Sequence, residues 1–337
     1  MRSENNHRET APPKFIHNLL TNYEDEPDVT YLTVSHGRYE IPRHEAEEFL
    51  KIRGFCTGHA KVEDIARKGG LPLERTRQII ESLTESDMLR RPWRPFESLS
   101  ADEIQQTLRV ATNLWAQQLR ETHIAVEVFN GEVSRQVAVG WLLETYHYIR
   151  CFPAALEVAA AAATGTLHHV LQTYAEQERG HELFVEQSLC RLGLSAEEVR
   201  SSVPLVTTRL IDLLMRELFR DTPCAALLVA AMVEADDFAP AELPGLQAAF
   251  ARHHEVDAEC LAPYFRHSQI DADLGHAKLA DAHAHLLRWH SEAQLARTVN
   301  RLHDLKHAFD AQKLEIKAYY GRVGNYFPRQ RVDYFSI

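Results

Sequence analysis

The rhythm of polar and apolar positions changes near residue 100. Before it, Val29–Val34 and Arg38–Pro42 alternate with a period of two, which predicts two short strands joined at Ser35-His36-Gly37. Three helical patches follow, over 44–55, over 62–68 closed by Gly69-Gly70, and over 73–89 opened by Pro72. Pro92 and Pro95 flank Trp93 and Arg94 and mark a linker. From Ser100 onward the apolar period is that of a helix. Helices are predicted over 101–122, 133–161, 167–192, 196–219, 223–236, 244–264, 266–290 and 292–319, and Ser100-Ala-Asp-Glu103 has the spacing of a capping box. The expected fold is mainly α. A helical bundle over 100–320 follows a small winged-helix-like α+β unit over 28–95. A flexible polar arm (1–27) precedes both, and an aromatic, basic tail (321–337) closes the chain.

Composition narrows the function. With 48 acidic and 37 basic residues the formal charge is −11, which repels phosphate backbones and argues against nucleic acid as a partner. The most apolar stretch, Cys224–Val233, is too short to span a bilayer, so no membrane partner is expected. The N-terminus, MRSENNHRETAPPK, lacks the apolar core of a secretory signal, and a cytoplasmic location is expected. The five cysteines are scattered with no CxxC pair. They suggest free thiols, not a disulfide framework or a thiolate metal site.

No GxGxxG, Walker A loop, GxSxG elbow or HExxH occurs, which weakens the common nucleotide and hydrolase readings. What stands out is a set of carboxylates and histidines at helical spacing, where residues three or four apart share a face. Glu178 and His181 form one pair, in EQERGHE. Glu144 and His147 form another, in ETYHYI, which taken alone reads as structural. Glu234 sits in the very apolar run AALLVAAMVEADD, where a charge is costly unless paired or bound to a metal, unless it reaches solvent beside Asp236 and Asp237. HSQIDADLGHA carries His267 and Asp271 at i, i+4, then Asp273 and His276. Carboxylates and imidazoles together suit iron or manganese, and Glu plus Glu-x-x-His elements projecting into a bundle are how di-iron carboxylate proteins hold two metals. Each pair is weak alone; the combination carries the argument.

Three passages give a resemblance: WLLETYHYIRCFPAALEVAAA, EQERGHELFVEQSLCRLGL and YFRHSQIDADLGHAKLA. With them the bundle resembles the haem-oxygenase-like di-iron oxidases and oxygenases, relatives of the thiaminase II and pyrroloquinoline-quinone-synthase C fold. The resemblance implies a seven-helix bundle, a labile centre of two iron ions and dioxygen as co-substrate. It places Glu178, His181, Glu234, His267, Asp271 and His276 as metal ligands, with Glu144 bridging the metals or standing just behind them. One departure is plain. The family's His-x-x-x-Asp-x-x-His would put a histidine at position 274, which here is Leu274. His276 comes five after Asp271, which rotates it off the face of a straight helix. Either Gly275 returns it to the site, or Asp273 and His276 supply the ligands and His267 does not. The segment 28–92 more faintly resembles small winged-helix domains that bind leader peptides, which implies a strand edge open to a peptide; a packing or dimerisation module fits it equally well.

The expected function is therefore oxidation of a small amino-acid-, amine- or peptide-derived substrate by a homodimeric di-iron enzyme, with Tyr146, Tyr148 and Phe184 lining the substrate pocket. The alternatives are a cofactorless oxidase or a hydrolase on the same fold, with Cys151 the cysteine nearest Glu144 and His147, or a non-enzymatic peptide-binding protein.

Overall fold

The computed structural model describes residues 12–16, 18–34, 36–89, 94–234, 241–333 and 335. Part of the expected N-terminal arm (1–11 and 17), Ser35 of the hairpin turn, Pro92 and Trp93 of the linker, and Asp236 and Asp237 lie outside them. The chain divides into two compact units, up to Leu99 and from Ser100.

In the first unit, strands β1 (Asn18–Thr21), β2 (Val29–Val34) and β3 (Gly37–Pro42) form an antiparallel sheet in the order β1-β2-β3. The centre strand VTYLTV is rich in β-branched residues and turns Thr30, Leu32 and Val34 inward, as its period of two requires. Helices α1 (Arg43–Arg53), α2 (Val62–Gly69) and α3 (Leu73–Glu85) follow. Leu32, Val34, Phe49, Leu83 and Met88 make the core, with Phe15 edge-on to Phe49 at 4.7 Å. Strand β1 corrects the expectation of a flexible arm to residue 27. Its two apolar residues are too short a signal to read, yet Leu20 packs on the core and Arg53 donates to the Asn18 side chain at 3.0 Å.

In the second unit the capping box forms at the start of α4 (Ala101–Thr122): the Ser100 hydroxyl accepts from the Glu103 N–H and the Glu103 carboxylate from the Ser100 N–H. Then come α5 (Ile124–Asn130), α6 (Arg135–Ala162), α7 (Gly165–Glu178), α8 (Glu182–Arg191), α9 (Ala196–Ser201), α10 (Val206–Asp221), α11 (Ala225–Val233), α12 (Leu243–His254), α13 (Ala262–Leu274), the four-residue α14 (Leu279–Ala282) and α15 (Glu292–Tyr320). The long helix α6 is the hub, packing against α7, α8, α10 and α15. The apolar α11 is enclosed, with Ala225 to Ala230 fully buried, and packs on α4 and α14. No described helix is long and apolar enough to cross a membrane.

Four helices expected as continuous are broken. Gly180, at φ +88°, separates α7 from α8; Pro204 lies between α9 and α10; Glu255, at φ 53°, ends α12; and Gly275, at φ +73°, ends α13. Left-handed backbone stops a helix within one residue. Two of these breaks build the site. The C-terminal tail folds back on the bundle, where the Val203 N–H donates to the Arg329 carbonyl at 3.0 Å and Phe327 stands edge-on to Tyr320.

Candidate metal centre

Glu178, His181, Glu234, His267, Asp271 and His276 meet in one place. In one group, Glu178, His181, His267 and Asp271 each offer a ligand atom within 4.8 Å of the others; in a second, Glu178, Glu234 and His276 do the same. Glu178 belongs to both. All are buried except Glu234, which is half-buried.

Most of these side chains come from helix ends, not helix faces. Glu178 is the last residue of α7, and His181 lies across the Arg179–Gly180 break, its N–H donating to the Glu178 carbonyl at 3.3 Å. Glu234 caps the end of α11. His276 follows the left-handed Gly275, so the chain leaves the axis of α13 and the imidazole swings back; its Nδ1 lies 2.8 Å from Glu178 Oε1. Of the two ways of bringing His276 to the site, the geometry agrees with the turn at Gly275. Asp273 is exposed and joins neither group, while His267 joins the first. Within α13, His267 and Asp271 keep the simple i, i+4 relation, Nε2 to Oδ2 3.1 Å.

The electrostatics are those of a crowded buried cluster. His181 Nδ1 is 3.1 Å from Asp271 Oδ1 and 3.3 Å from Glu178 Oε2. Burial pulls the His181 pKa down, but the carboxylates of Asp271 and Glu178 outweigh it and hold it at about 10. Burial pushes Glu178 up, but His181 and His276 together leave it below the usual range. Burial lowers His267, helped by the other two imidazoles.

These contacts are close but poorly directed. Glu178 Oε1, His181 Nδ1, His267 Nε2, Asp271 Oδ1 and His276 Nδ1 are enclosed and make no hydrogen bond of acceptable geometry. A buried polar atom left so costs roughly 1–3 kcal/mol. Five in one cluster, on residues whose free lone pairs converge, are what a cation would satisfy. Three imidazoles and three carboxylates suit iron or manganese and do not suit a thiolate metal. The residues present therefore fit the metal pair that the resemblance implies.

Two residues that the sequence reading missed hold the cluster in shape. Gln177 Oε1 lies 3.1 Å from His276 Nε2, which fixes that ring with Nδ1 toward Glu178. The Tyr174 hydroxyl donates to Glu234 Oε1 at 3.1 Å, and its ring lies 4.6 Å from that of His276. The signal was present: Tyr174 precedes Glu178 by one helical turn.

A cavity of about 200 Å³ opens against the cluster. Glu178, Glu234, His267 and Asp271 line it, with Trp141, Phe152, Met232, Phe309 and Ile316 as apolar wall and Glu144, Gln312 and Lys313 among its polar lining. Of the three expected pocket aromatics, Tyr148 lines it and Tyr146 and Phe184 do not. Tyr146 stands two positions from Tyr148 on α6, and residues two apart do not share a helix face. Phe184 packs against the rings of His181 and His267, at 6.3 and 6.2 Å.

Glu144 and His147 lie apart from the cluster. The fully buried Glu144 carboxylate accepts from the Leu205 N–H at 2.9 Å, the Thr208 hydroxyl at 2.5 Å and the Tyr320 hydroxyl at 2.6 Å. His147 Nε2 pairs with the Ser202 hydroxyl at 2.9 Å. Neither is in either ligand group. Burial pushes the Cys151 thiol up, and it does not line the cavity, so it lacks the setting of a nucleophile.

A domain of unknown function with a haem oxygenase-like fold from Shewanella denitrificans OS217 superposes with a TM-score of 0.52 at 18% identity, covering 66% of this chain and 94% of that one. The fold is haem-oxygenase-like. Two further structures superpose with lower scores. A TenA homologue from P. horikoshii OT3 has a TM-score of 0.44 at 16% identity, covering 63% of this chain and 99% of that one. A TenA homologue from Pseudomonas syringae pv. tomato DC3000 has a TM-score of 0.47 at 10% identity, covering 67% and 100%. No protein-family model and no curated protein matches the chain.

Proposed function

We propose that this chain is a non-haem di-iron oxygenase or oxidase acting on a small amino-acid-, amine- or peptide-derived substrate. The observation that carries the reading is the double membership of Glu178: one buried carboxylate shared by two groups of ligand residues, five of which present an enclosed atom without a hydrogen-bond partner. Fold likeness alone would not carry it, because one fold hosts many chemistries.

On this reading His181, His267, Asp271, Glu234, His276 and Glu178 would hold the two irons, with Glu178 belonging to both ligand groups. The bound metals supply the activation of dioxygen. The chain does the rest. Gln177 and Tyr174 keep His276 and Glu234 oriented. The cavity wall of Trp141, Phe152, Met232 and Phe309 shelters the reacting region from water. Its volume of about 200 Å³ falls below the roughly 300–1,000 Å³ of drug-sized pockets, which favours a small substrate.

The test is anaerobic Fe(II) titration of the metal-free protein, then Mössbauer spectroscopy after exposure to air. The expected result is two irons per chain and a magnetically coupled diferric signal. A protein that takes up no iron would sink the proposal and favour a cofactorless enzyme.

For the first unit we propose peptide capture along β3, an outer strand of the sheet, by addition of a further strand. Such a peptide must perturb the amide signals of Gly37–Pro42 in an NMR titration. Unchanged signals on binding would rule it out.

A further inference from the structure

One polar atom beside the centre has no role in the ligand set. The Tyr148 hydroxyl oxygen is enclosed and has no hydrogen-bond partner among the described residues, the same condition as atoms of Glu178, His181, His267, Asp271 and His276. Its ring forms part of the cavity wall. Phe152 stacks on that ring at 5.8 Å and Phe309 meets it edge-on at 5.5 Å, so the ring is clamped and the hydroxyl cannot turn away to find a partner. The charges that act on it belong to Glu234, Glu178 and Asp271, all members of the cluster. Burial above all, and then those carboxylates, hold the phenol well above its ordinary pKa, so it keeps its proton and serves as a donor.

A buried O–H without an acceptor destabilises the protein that carries it, and a phenylalanine of the same shape would fill the space without that cost. The retained hydroxyl therefore calls for an acceptor that arrives from outside the chain. We propose that Tyr148 is a positioning residue, donating a hydrogen bond to a lone-pair-bearing atom, an oxygen or nitrogen, of the molecule bound at the carboxylate–histidine cluster. The inference rests on the metal reading above and goes beyond it: it assigns a donor outside the ligand set and requires an acceptor on the molecule's metal-facing end.

The experiment uses the full-length chain and its Tyr148→Phe variant, both loaded with Co(II), with azide as the probe. Azide binding is followed by the shift in the cobalt d–d bands, and thermal unfolding is measured on the metal-free proteins. The expected result has three parts: equal cobalt uptake, a Tm for Tyr148→Phe no lower than that of the parent, and azide binding weakened about tenfold, as loss of one hydrogen bond to an anion implies. Equal azide affinity in the two cobalt-loaded proteins would overturn the proposal and leave the metal reading standing. A lower Tm with unchanged azide affinity would overturn it too, by making the hydroxyl structural. Failure of both proteins to take up cobalt would overturn the metal reading and this inference with it.

Discussion

Two Glu-x-x-His pairs lie buried in the same bundle and meet opposite fates. Glu144 and His147 sit within an unbroken helix, and the Glu144 carboxylate and His147 Nε2 are held in well-formed hydrogen bonds. Glu178 and His181 straddle a helix break, touch other carboxylates and imidazoles at 2.8–3.3 Å, and have atoms that pair with nothing. Residue type and spacing are the same in both. What distinguishes a brace from a ligand pair is whether the protein satisfies the lone pairs itself. A satisfied buried carboxylate stabilises the fold; an unsatisfied one is held ready for something else.

The comparison breaks if the two glutamates behave alike when changed. The largest effect expected is on Glu178. Glu178→Gln removes the one carboxylate common to both groups, so metal retained after gel filtration should fall below one per chain, with affinity weakened roughly a hundredfold or more. Elemental analysis reads this directly. Glu144→Ala should do the reverse. It strips the acceptor from the Leu205 N–H and the Thr208 and Tyr320 hydroxyls, costs roughly 3–5 kcal/mol, lowers the Tm by about 10 °C and leaves metal content unchanged. Metal loss in a Glu144 variant that still melts at the parent temperature would show that Glu144 belongs to the centre after all.

His147 sharpens the contrast through pH. Burial first, then the nearby Arg150 and Arg329 cations, lowers its pKa to about 4, against about 6.5 in an unfolded chain. Between those values the unfolded state binds the proton and the folded state does not. Stability from this residue is therefore complete above about pH 6.5, declines as pH falls, and is exhausted near pH 4. The swing is about 3 kcal/mol. Urea titrations of the metal-free protein across that range should show it, and His147→Gln, which keeps a donor for Ser202, should flatten the slope. A slope unchanged in the variant would mean that other groups produce it.

Much of the centre was legible because its chemistry is local. Glu178 with His181, and His267 with Asp271, lie within one turn of each other, and a lone Glu234 in a run as apolar as AALLVAAMV asks for a partner. The broad organisation was legible too, since the change from period 2 to period 3.6 near residue 100 coincides with the unit boundary. The helix break at Gly180 was not read, and Gly275 was read only as one of two ways to bring His276 to the site. One glycine inside a periodic stretch looks the same whether the helix runs through it or stops. The cavity wall was read only at Tyr148, because the lining is assembled from α4, α5, α6, α7, α11, α13 and α15, and no local pattern reports which residues of seven separate helices face one another. Strand β1 escaped for a third reason: four residues, two of them apolar, are too few to establish a period.

The smallest effect predicted tests the step on which the sequence and the site part company. Gly275 sits at φ +73°, and an added Cβ there would meet no atom within 4 Å, so any cost of Gly275→Ala is purely conformational. A non-glycine residue in left-handed backbone costs about 1–2 kcal/mol. Relief of that strain pulls the chain back toward the axis of α13, which carries His276 off the cluster while His267 and Asp271, earlier in the same helix, stay in place. Metal content should therefore fall from two per chain toward one, with a Tm loss of only a few degrees. Gly275→Asn should restore much of the second metal, because asparagine tolerates the left-handed region that alanine resists. If alanine and asparagine retained both metals equally, the turn at Gly275 would not be what brings His276 to Glu178, and the spacing of five would need another explanation.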